Sequence, residues 1–99
     1  MCGAPDQDTL PALEVSQKEA VVHGFVTRDG SALPGAYVRL LDGTGEFTAE
    51  VQTSATGYFR FYAAAGDWTL RTLAPGRVVD TPVSAVQGAA VEATVAIPV

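Results

Sequence analysis

The sequence contains few of the side chains on which most enzyme and metal sites depend. Its 99 residues include one cysteine, Cys2, and one histidine, His23. A single cysteine cannot close an internal disulfide, which is typical of a reducing, cytoplasmic setting. A metal site of three or four ligands would have to combine Cys2 and His23 with distant carboxylates. No phosphate-binding glycine loop or nucleophile elbow is present either. We therefore expect a protein that is not an enzyme and uses no metal and no cofactor.

Basic charge and long apolar segments are also scarce. Eleven acidic and six basic side chains give a formal net charge of −5, which repels a phosphate backbone and an anionic membrane surface. No apolar run approaches the roughly 20 residues of a membrane-spanning helix. Asp6, Asp8 and Glu14 interrupt the region where a secretory signal would have its apolar core. We therefore expect no nucleic-acid partner, no membrane association and a cytoplasmic location.

What the sequence does contain is a succession of short strand-like segments. Seven of them, rich in β-branched and aromatic residues, alternate with turn signals about every ten residues. They are AVVHGFVT, AYVRLLD, EFTAEVQT, YFRFYA, WTLRTLA, VVDTPV and AAVEATVAIPV. This pattern predicts an all-β, seven-stranded antiparallel sandwich over residues 20–99. Residues 1–19 show no period, and Pro5 and Pro11 would break a helix, so we predict an extended N-terminal arm.

Alternation along the strands assigns one face of each to the core. Charged residues such as Arg39, Arg60, Arg71 and Glu92 mark the outward faces, and His23 falls on the polar side of its strand. Pro82 makes VVDTPV an edge strand. The predicted core is Val22, Val26, Val38, Leu40, Val51, Phe59, Phe61, Trp68, Leu70, Val91, Val95 and Ile97.

Two stretches carry a resemblance to a known type of fold. HGFVTRDGSALPGAYVRLLD and TSATGYFRFYAAAGDWTLRTLAPG resemble the transthyretin-like (prealbumin-like), carboxypeptidase-regulatory type of β-sandwich. Hydroxyisourate hydrolases of this type use two histidines and a terminal Tyr-Arg-Gly-Ser, whereas this chain has one histidine and ends in VAIPV. Pilin-like relatives form Lys–Asn isopeptide bonds, whereas this chain has no asparagine and one lysine, Lys18. The resemblance therefore implies the fold, whereas the missing residues exclude these two chemistries.

A second resemblance covers the whole chain. MCGAP, VRLLD, EFTAEV, SATGYFRF and GDWTLR are similar to segments of the actinobacterial family called SseC. That resemblance implies a context in sulfur metabolism, close to rhodanese-type thiosulfate sulfurtransferases. It implies no catalytic residue.

Cys2 is the candidate sulfur acceptor. Removal of Met1, which is usual before a small residue, would place the thiol beside a free ammonium group that favours the reactive thiolate. A thiol on an arm can reach the active site of another protein. The alternative is an incidental thiol at a chain end.

The outward strand positions supply a candidate partner surface. Tyrosine and arginine are enriched among the residues that dominate protein interfaces, although both also occur on solvated sheet faces. The candidates are Tyr37, Arg39, Tyr58, Arg60, Tyr62 and Arg71. We predict a non-catalytic accessory protein that docks on a sulfurtransferase through this surface and accepts sulfane sulfur on Cys2. The alternative is a structural or protein-binding module with an incidental Cys2, and the oligomeric state stays open.

Overall fold

A computed structural model describes residues 19–99. The predicted arm, apart from its last residue, and the acceptor Cys2 lie outside the described residues. The described chain is all β, so no helix within it is long and apolar enough to cross a membrane. The strands are β1 (Ala20–Arg28), β2 (Ser31–Ala32), β3 (Tyr37–Leu41), β4 (Phe47–Gln52), β5 (Tyr58–Ala63), β6 (Gly66–Ala74), β7 (Arg77–Ala85) and β8 (Ala90–Ile97).

The strands form two four-stranded sheets. In the first sheet β1 is central. On one side β5 pairs with the first part of β1 and β2 with its last two residues, and on the other side β8 pairs with β1 along most of its length. The second sheet has the order β4-β3-β6-β7. The predicted edge position of the strand that contains Pro82 is confirmed, because β7 lies at the border of this sheet.

The strand count and the strand directions differ from the prediction. There are eight strands instead of seven because β2, only two residues long, lies inside a predicted turn, where alternation has no length in which to show. One pairing, β1 with β8, is parallel, whereas the others are antiparallel. The chain crosses from β7 in the second sheet and enters the first sheet beside the start of β1. Two backbone bonds fix that entry, from the Gly88 amide to the Glu19 carbonyl and from the Val21 amide to the Ala89 carbonyl.

The core lies between the two sheets and largely follows the predicted alternation. Ten of the 12 predicted core residues are buried. Trp68 is only partly buried and packs against the core, since its indole N–H reaches out to the Ala64 carbonyl at 2.8 Å. Val91, near the start of β8, is half-buried. Burying one large apolar side chain contributes about 1.5–3 kcal/mol. Val21 and Leu41, which alternation places on the outward faces, are also buried.

Two glycines allow β1 to lie close to its neighbours. A Cβ on Gly24 would lie 1.7 Å from the carbonyl oxygen of Ala93 in β8. Gly57 has φ 77°, and its Cβ would lie 2.6 Å from the Val26 carbonyl oxygen. The Val26 amide donates to the Gly57 carbonyl at 2.8 Å. The two contacts between Gly57 and Val26 help to fix the register of β5 against β1, in which Tyr58 lies beside its Cα partner Phe25.

Candidate functional site

The outer face of the first sheet brings together side chains from three strands. Arg60 of β5, His23 of β1 and Glu92 of β8 are Cα partners across the sheet and form one row. In the next row Tyr58 is the Cα partner of Phe25. Because residues two apart on a strand point to the same side, both rows lie on one face.

The Tyr58 hydroxyl is the centre of the polar contacts on this face. It lies 2.9 Å from Nδ1 of His23. It also accepts a hydrogen bond from Nε of Arg60 at 3.2 Å. The Arg60 guanidinium carbon lies 5.5 Å from the centroid of the Tyr58 ring, within cation–π range. One phenol therefore holds the histidine and the arginine in place.

The surroundings of His23 favour its neutral form. Partial burial lowers the pKa of His23 below its ordinary value of 6.5, and the positive charge of Arg60 adds to this effect. The negative charge of Glu92 acts in the opposite direction. Because the lowering prevails, the imidazole is neutral at neutral pH and presents one nitrogen as an acceptor.

Four aromatic rings lie on the β1 and β5 part of this face. The rings of Phe25 and Tyr58 meet edge to face at a centroid distance of 5.3 Å, and those of His23 and Tyr58 at 5.8 Å. Phe25 is 40% exposed, and Tyr62, two rows further along β5, is 54% exposed. We name His23, Phe25, Tyr58, Arg60 and Tyr62 the aromatic face.

The outer face of the second sheet is a ladder of paired charges. Arg39 and Arg71 are Cα partners, with Glu50 beside Arg39 and Asp80 beside Arg71. Nε of Arg39 lies 2.7 Å from Oε2 of Glu50. Arg71 donates two hydrogen bonds to the Asp80 carboxylate, at 2.9 and 3.0 Å. The hydrogen bond from Arg71 is also the main cause that lowers the pKa of Asp80. Tyr37 also lies on this sheet and is 44% exposed.

The six predicted partner residues therefore do not form one surface. Tyr58, Arg60 and Tyr62 lie on the first sheet, and the other three lie on the opposite sheet. Arg60 lies on the outward face that alternation predicts, but it does not project into solvent as a charge on such a face is expected to do, because it is only 9% exposed and lies against Tyr58. Alternation determines which side of a strand a residue faces, but it does not determine which strands are neighbours.

Sequence reasoning also left three members of this region unassigned as partners. His23, Phe25 and Glu92 alternate outward, yet only the pairing of β1 with both β5 and β8 places them beside Tyr58. Alternation in the sequence indicates that each of them faces outward, but it does not indicate which strand lies next to it. Cys2 lies outside the described residues. Within residues 19–99, no three acidic, histidine or cysteine side chains are grouped as metal ligands.

A shallow cleft lies on the second sheet. It lies between Gly43 of the β3–β4 turn and the paired strands β6 and β7. The Ser84 hydroxyl donates to the Asp67 carboxylate there at 2.9 Å. These two polar side chains of the cleft therefore satisfy one another.

Solved structures of low sequence identity share the fold. The Bacillus anthracis TIE protein superimposes with a TM-score of 0.71 at 17% identity over 81% of this chain and 17% of its own. The minor pilin GBS52 of Streptococcus agalactiae gives 0.69 at 16% identity, over 82% of this chain and 44% of its own. The dioxygenase domain of a dioxygenase carbohydrate-binding protein fusion from Streptomyces sp. SirexAA-E gives 0.67 at 17% identity, over 100% and 92%. The chain thus spans about a sixth of the first of these proteins and less than half of the second, and the likeness extends to the β-sandwich fold alone.

Relatives of high sequence identity occur in mycobacteria. The uncharacterized protein Rv0814c of Mycobacterium tuberculosis is 59% identical over 75 residues, which are 74% of this chain and 75% of that protein. An uncharacterized protein of Mycolicibacterium smegmatis is 51% identical over 80 residues, 77% of this chain and 89% of that protein. The sequence profile of DUF1416, described as a protein of unknown function, matches residues 2–97. The chain therefore belongs to the DUF1416 family.

Proposed function

We propose that this protein is a non-catalytic β-sandwich that binds another protein through the aromatic face. The observation that supports this proposal is that Phe25 and Tyr62 are exposed on the same face as Tyr58, whose hydroxyl contacts His23 and Arg60. Rigid aromatic side chains contribute contact area at low entropic cost, and tyrosine and arginine are enriched among interface hot spots. A surface braced in this way loses little further freedom on binding.

The second sheet is the weaker candidate because its charges already satisfy one another. Arg39 and Arg71 each have a carboxylate partner on a neighbouring strand. A protein that bound there would have to replace those ion pairs or leave them intact at the rim, where charges contribute little affinity. On the aromatic face, Phe25 meets the ring of Tyr58 edge to face, and Tyr62 accepts a hydrogen bond from Arg60. Phe25 and Tyr62 nevertheless stay 40% and 54% exposed, so both can contact a partner.

For the partner, we propose a rhodanese-type thiosulfate sulfurtransferase, with Cys2 as the acceptor of its sulfane sulfur. The sequence resemblance to the SseC family supports this choice. In the proposed transfer the Cys2 thiolate attacks the outer sulfur of the enzyme's cysteine persulfide. The sulfur–sulfur bond of the enzyme breaks, a new sulfur–sulfur bond forms on Cys2, and the enzyme cysteine leaves as its thiolate. The proton stays on the transferred sulfur, and no external oxidant or reductant is consumed.

The finer description of the fold is also a proposal. We infer a sandwich of the transthyretin-like, carboxypeptidase-regulatory type, supported by the motif around Gly24, Gly57 and Trp68. Modules of one fold serve many functions, so a structural or protein-binding role with an incidental Cys2 is the alternative.

The test is a binding titration of the full chain with a thiosulfate sulfurtransferase from the same organism, followed by intact-mass measurement after thiosulfate is added. We expect saturable binding and the mass of one added sulfur atom, removable by reductant. The Cys2→Ser variant should bind equally well but gain no sulfur. Binding without sulfur addition in the parent chain would support the alternative, and the absence of binding would refute the proposed partner.

A further inference from the structure

We propose that His23 is a proton-operated switch that decides whether the hydroxyl proton of Tyr58 stays within the aromatic face or points toward a partner. The switch acts on the surface proposed above as the binding face. It can nevertheless be tested in the free protein, because the groups invoked here, His23, Tyr58, Arg60 and Glu92, lie on β1, β5 and β8.

The neutral state follows from which groups can donate. The guanidinium of Arg60 has donors only, so its Nε–H occupies a lone pair of the Tyr58 oxygen at 3.2 Å. The single hydroxyl proton of Tyr58 is then directed to Nδ1 of His23, 2.9 Å away. A neutral imidazole that accepts at Nδ1 carries its own proton on Nε2. The chain of hydrogen bonds thus runs from Arg60 through Tyr58 to His23.

Proton uptake by His23 reverses the last bond of this chain. Nδ1 takes the proton from solvent and becomes a donor, since both nitrogens of an imidazolium donate. The Tyr58 oxygen then accepts from both His23 and Arg60, and its own proton has to leave the line to Nδ1. No covalent bond other than the new N–H changes. The face gains one positive charge and one outward O–H donor, which a carboxylate or carbonyl of a partner can accept.

The charged groups around His23 make the switch adjustable. Tyr58 and Arg60 face it from β5, Glu92 faces it from β8, and its outward neighbours on β1, Val21 and Phe25, are apolar. Arg60 opposes the protonated state and Glu92 favours it. The lowered pKa of His23 agrees with a neutral resting state at neutral pH.

The test is a pH titration of the full chain by NMR, with labelled histidine nitrogens and tyrosine ring carbons. We expect the Nε2–H tautomer at neutral pH, and the Tyr58 Cζ signal should titrate with the same midpoint as His23. In Tyr58→Phe the midpoint of His23 should fall, because both forms lose a hydrogen bond to Tyr58 and the charge-assisted bond of the protonated form is the stronger one. Tyr62→Phe removes a hydroxyl that contacts Arg60 instead of His23, so it should move the midpoint much less than Tyr58→Phe.

Several results would overturn the switch. They are an Nδ1–H tautomer at neutral pH, independent titration of His23 and Tyr58, and an equal response to Tyr58→Phe and Tyr62→Phe. The tautomer and the shared midpoint are measured on the parent protein, so they decide the matter even when a variant fails to fold. Failure to bind a sulfurtransferase would count against the proposed function alone, because none of these measurements includes a partner.

Discussion

Gly24 and Ala93 are partners in the parallel pair of β1 and β8, and the backbone of β8 occupies the space that a side chain on Gly24 would need. The position demands glycine because of this close approach and not because of an unusual backbone angle. The same approach holds the two strands that contribute His23 and Glu92 to the outer face. The fold and the candidate site therefore depend on one contact.

Replacing Gly24 by alanine is expected to lower the free energy of unfolding by about 2 kcal/mol or more, because β1 and β8 must separate to admit the methyl group. Chemical denaturation measures the loss. Gly43→Ala is the matched control, since the nearest atom to its Cβ is the Asp67 carbonyl oxygen at an ordinary 3.7 Å. The control should stay within about 0.5 kcal/mol of the parent. Equal effects of the two substitutions would contradict the account of Gly24.

Neighbouring positions on β8 test which side faces the core. Val95 is 1% exposed in the core, whereas the adjacent Thr94 is exposed. Val95→Asp buries an unpaired carboxylate and is expected to unfold the domain, while Thr94→Asp should melt close to the parent. Circular dichroism at increasing temperature distinguishes them. A folded Val95→Asp together with an unfolded Thr94→Asp would mean that the inner and outer faces of β8 are reversed.

Two outward arginines are expected to differ in their contribution to stability. Arg60 is buried against Tyr58, so Arg60→Met should cost about 1 kcal/mol or more through the lost hydrogen bond to Tyr58 and altered packing. Arg71 forms an exposed ion pair with Asp80, and such pairs contribute little. Arg71→Met should therefore leave the denaturation midpoint near that of the parent. A larger loss for Arg71→Met than for Arg60→Met would contradict the burial of Arg60.

Acidic pH is expected to destabilise the fold through His23. Its folded-state pKa lies below 6.5, so the unfolded chain takes up the proton first, and stability is lost as pH falls through 6.5 toward the folded-state value. In His23→Gln this part of the loss should be absent. Urea denaturation of both proteins at pH 7.5 and 5.5 measures the difference. Asp42 and Asp80, whose pKa values are lowered, add their own losses only at lower pH. An identical pH dependence in the two proteins would show that His23 does not titrate differently on folding.

Alternation predicted much of the fold because each strand is covered by the other sheet on one side. Val38 and Leu40 on β3, and Phe59 and Phe61 on β5, are buried as their spacing indicates. The pattern could not indicate that β8 joins β1 in parallel, since the partner of a strand depends on where the chain crosses between sheets. Alternation also could not predict that Val21, on an outward position, is buried, because it does not indicate what covers the outer face of a sheet.

The site was predictable only in part for the same physical reason. Tyr58, Arg60 and Tyr62 were identified by residue type and outward alternation on one strand. That they lie beside His23 and Phe25 follows only from the register between β1 and β5. The contact of Gly57 with Val26 helps to fix that register. Tyrosine and arginine also lie on the second sheet, where Arg39 and Arg71 form ion pairs with carboxylates. Only the pairing of the strands shows which of the six candidate residues lie on which sheet.

A comparison of two exposed tyrosines on opposite sheets decides whether the aromatic face binds a protein partner. Binding of the full chain to a thiosulfate sulfurtransferase is measured by calorimetry for the parent, Tyr62→Ala and Tyr37→Ala. Tyr62 and Tyr37 are 54% and 44% exposed, so both substitutions remove a similar surface side chain. We expect Tyr62→Ala to weaken binding by about fivefold or more, which corresponds to roughly 1 kcal/mol, and Tyr37→Ala to bind like the parent. Undiminished binding by Tyr62→Ala, with weakened binding by Tyr37→Ala, would contradict this expectation and assign the partner to the second sheet.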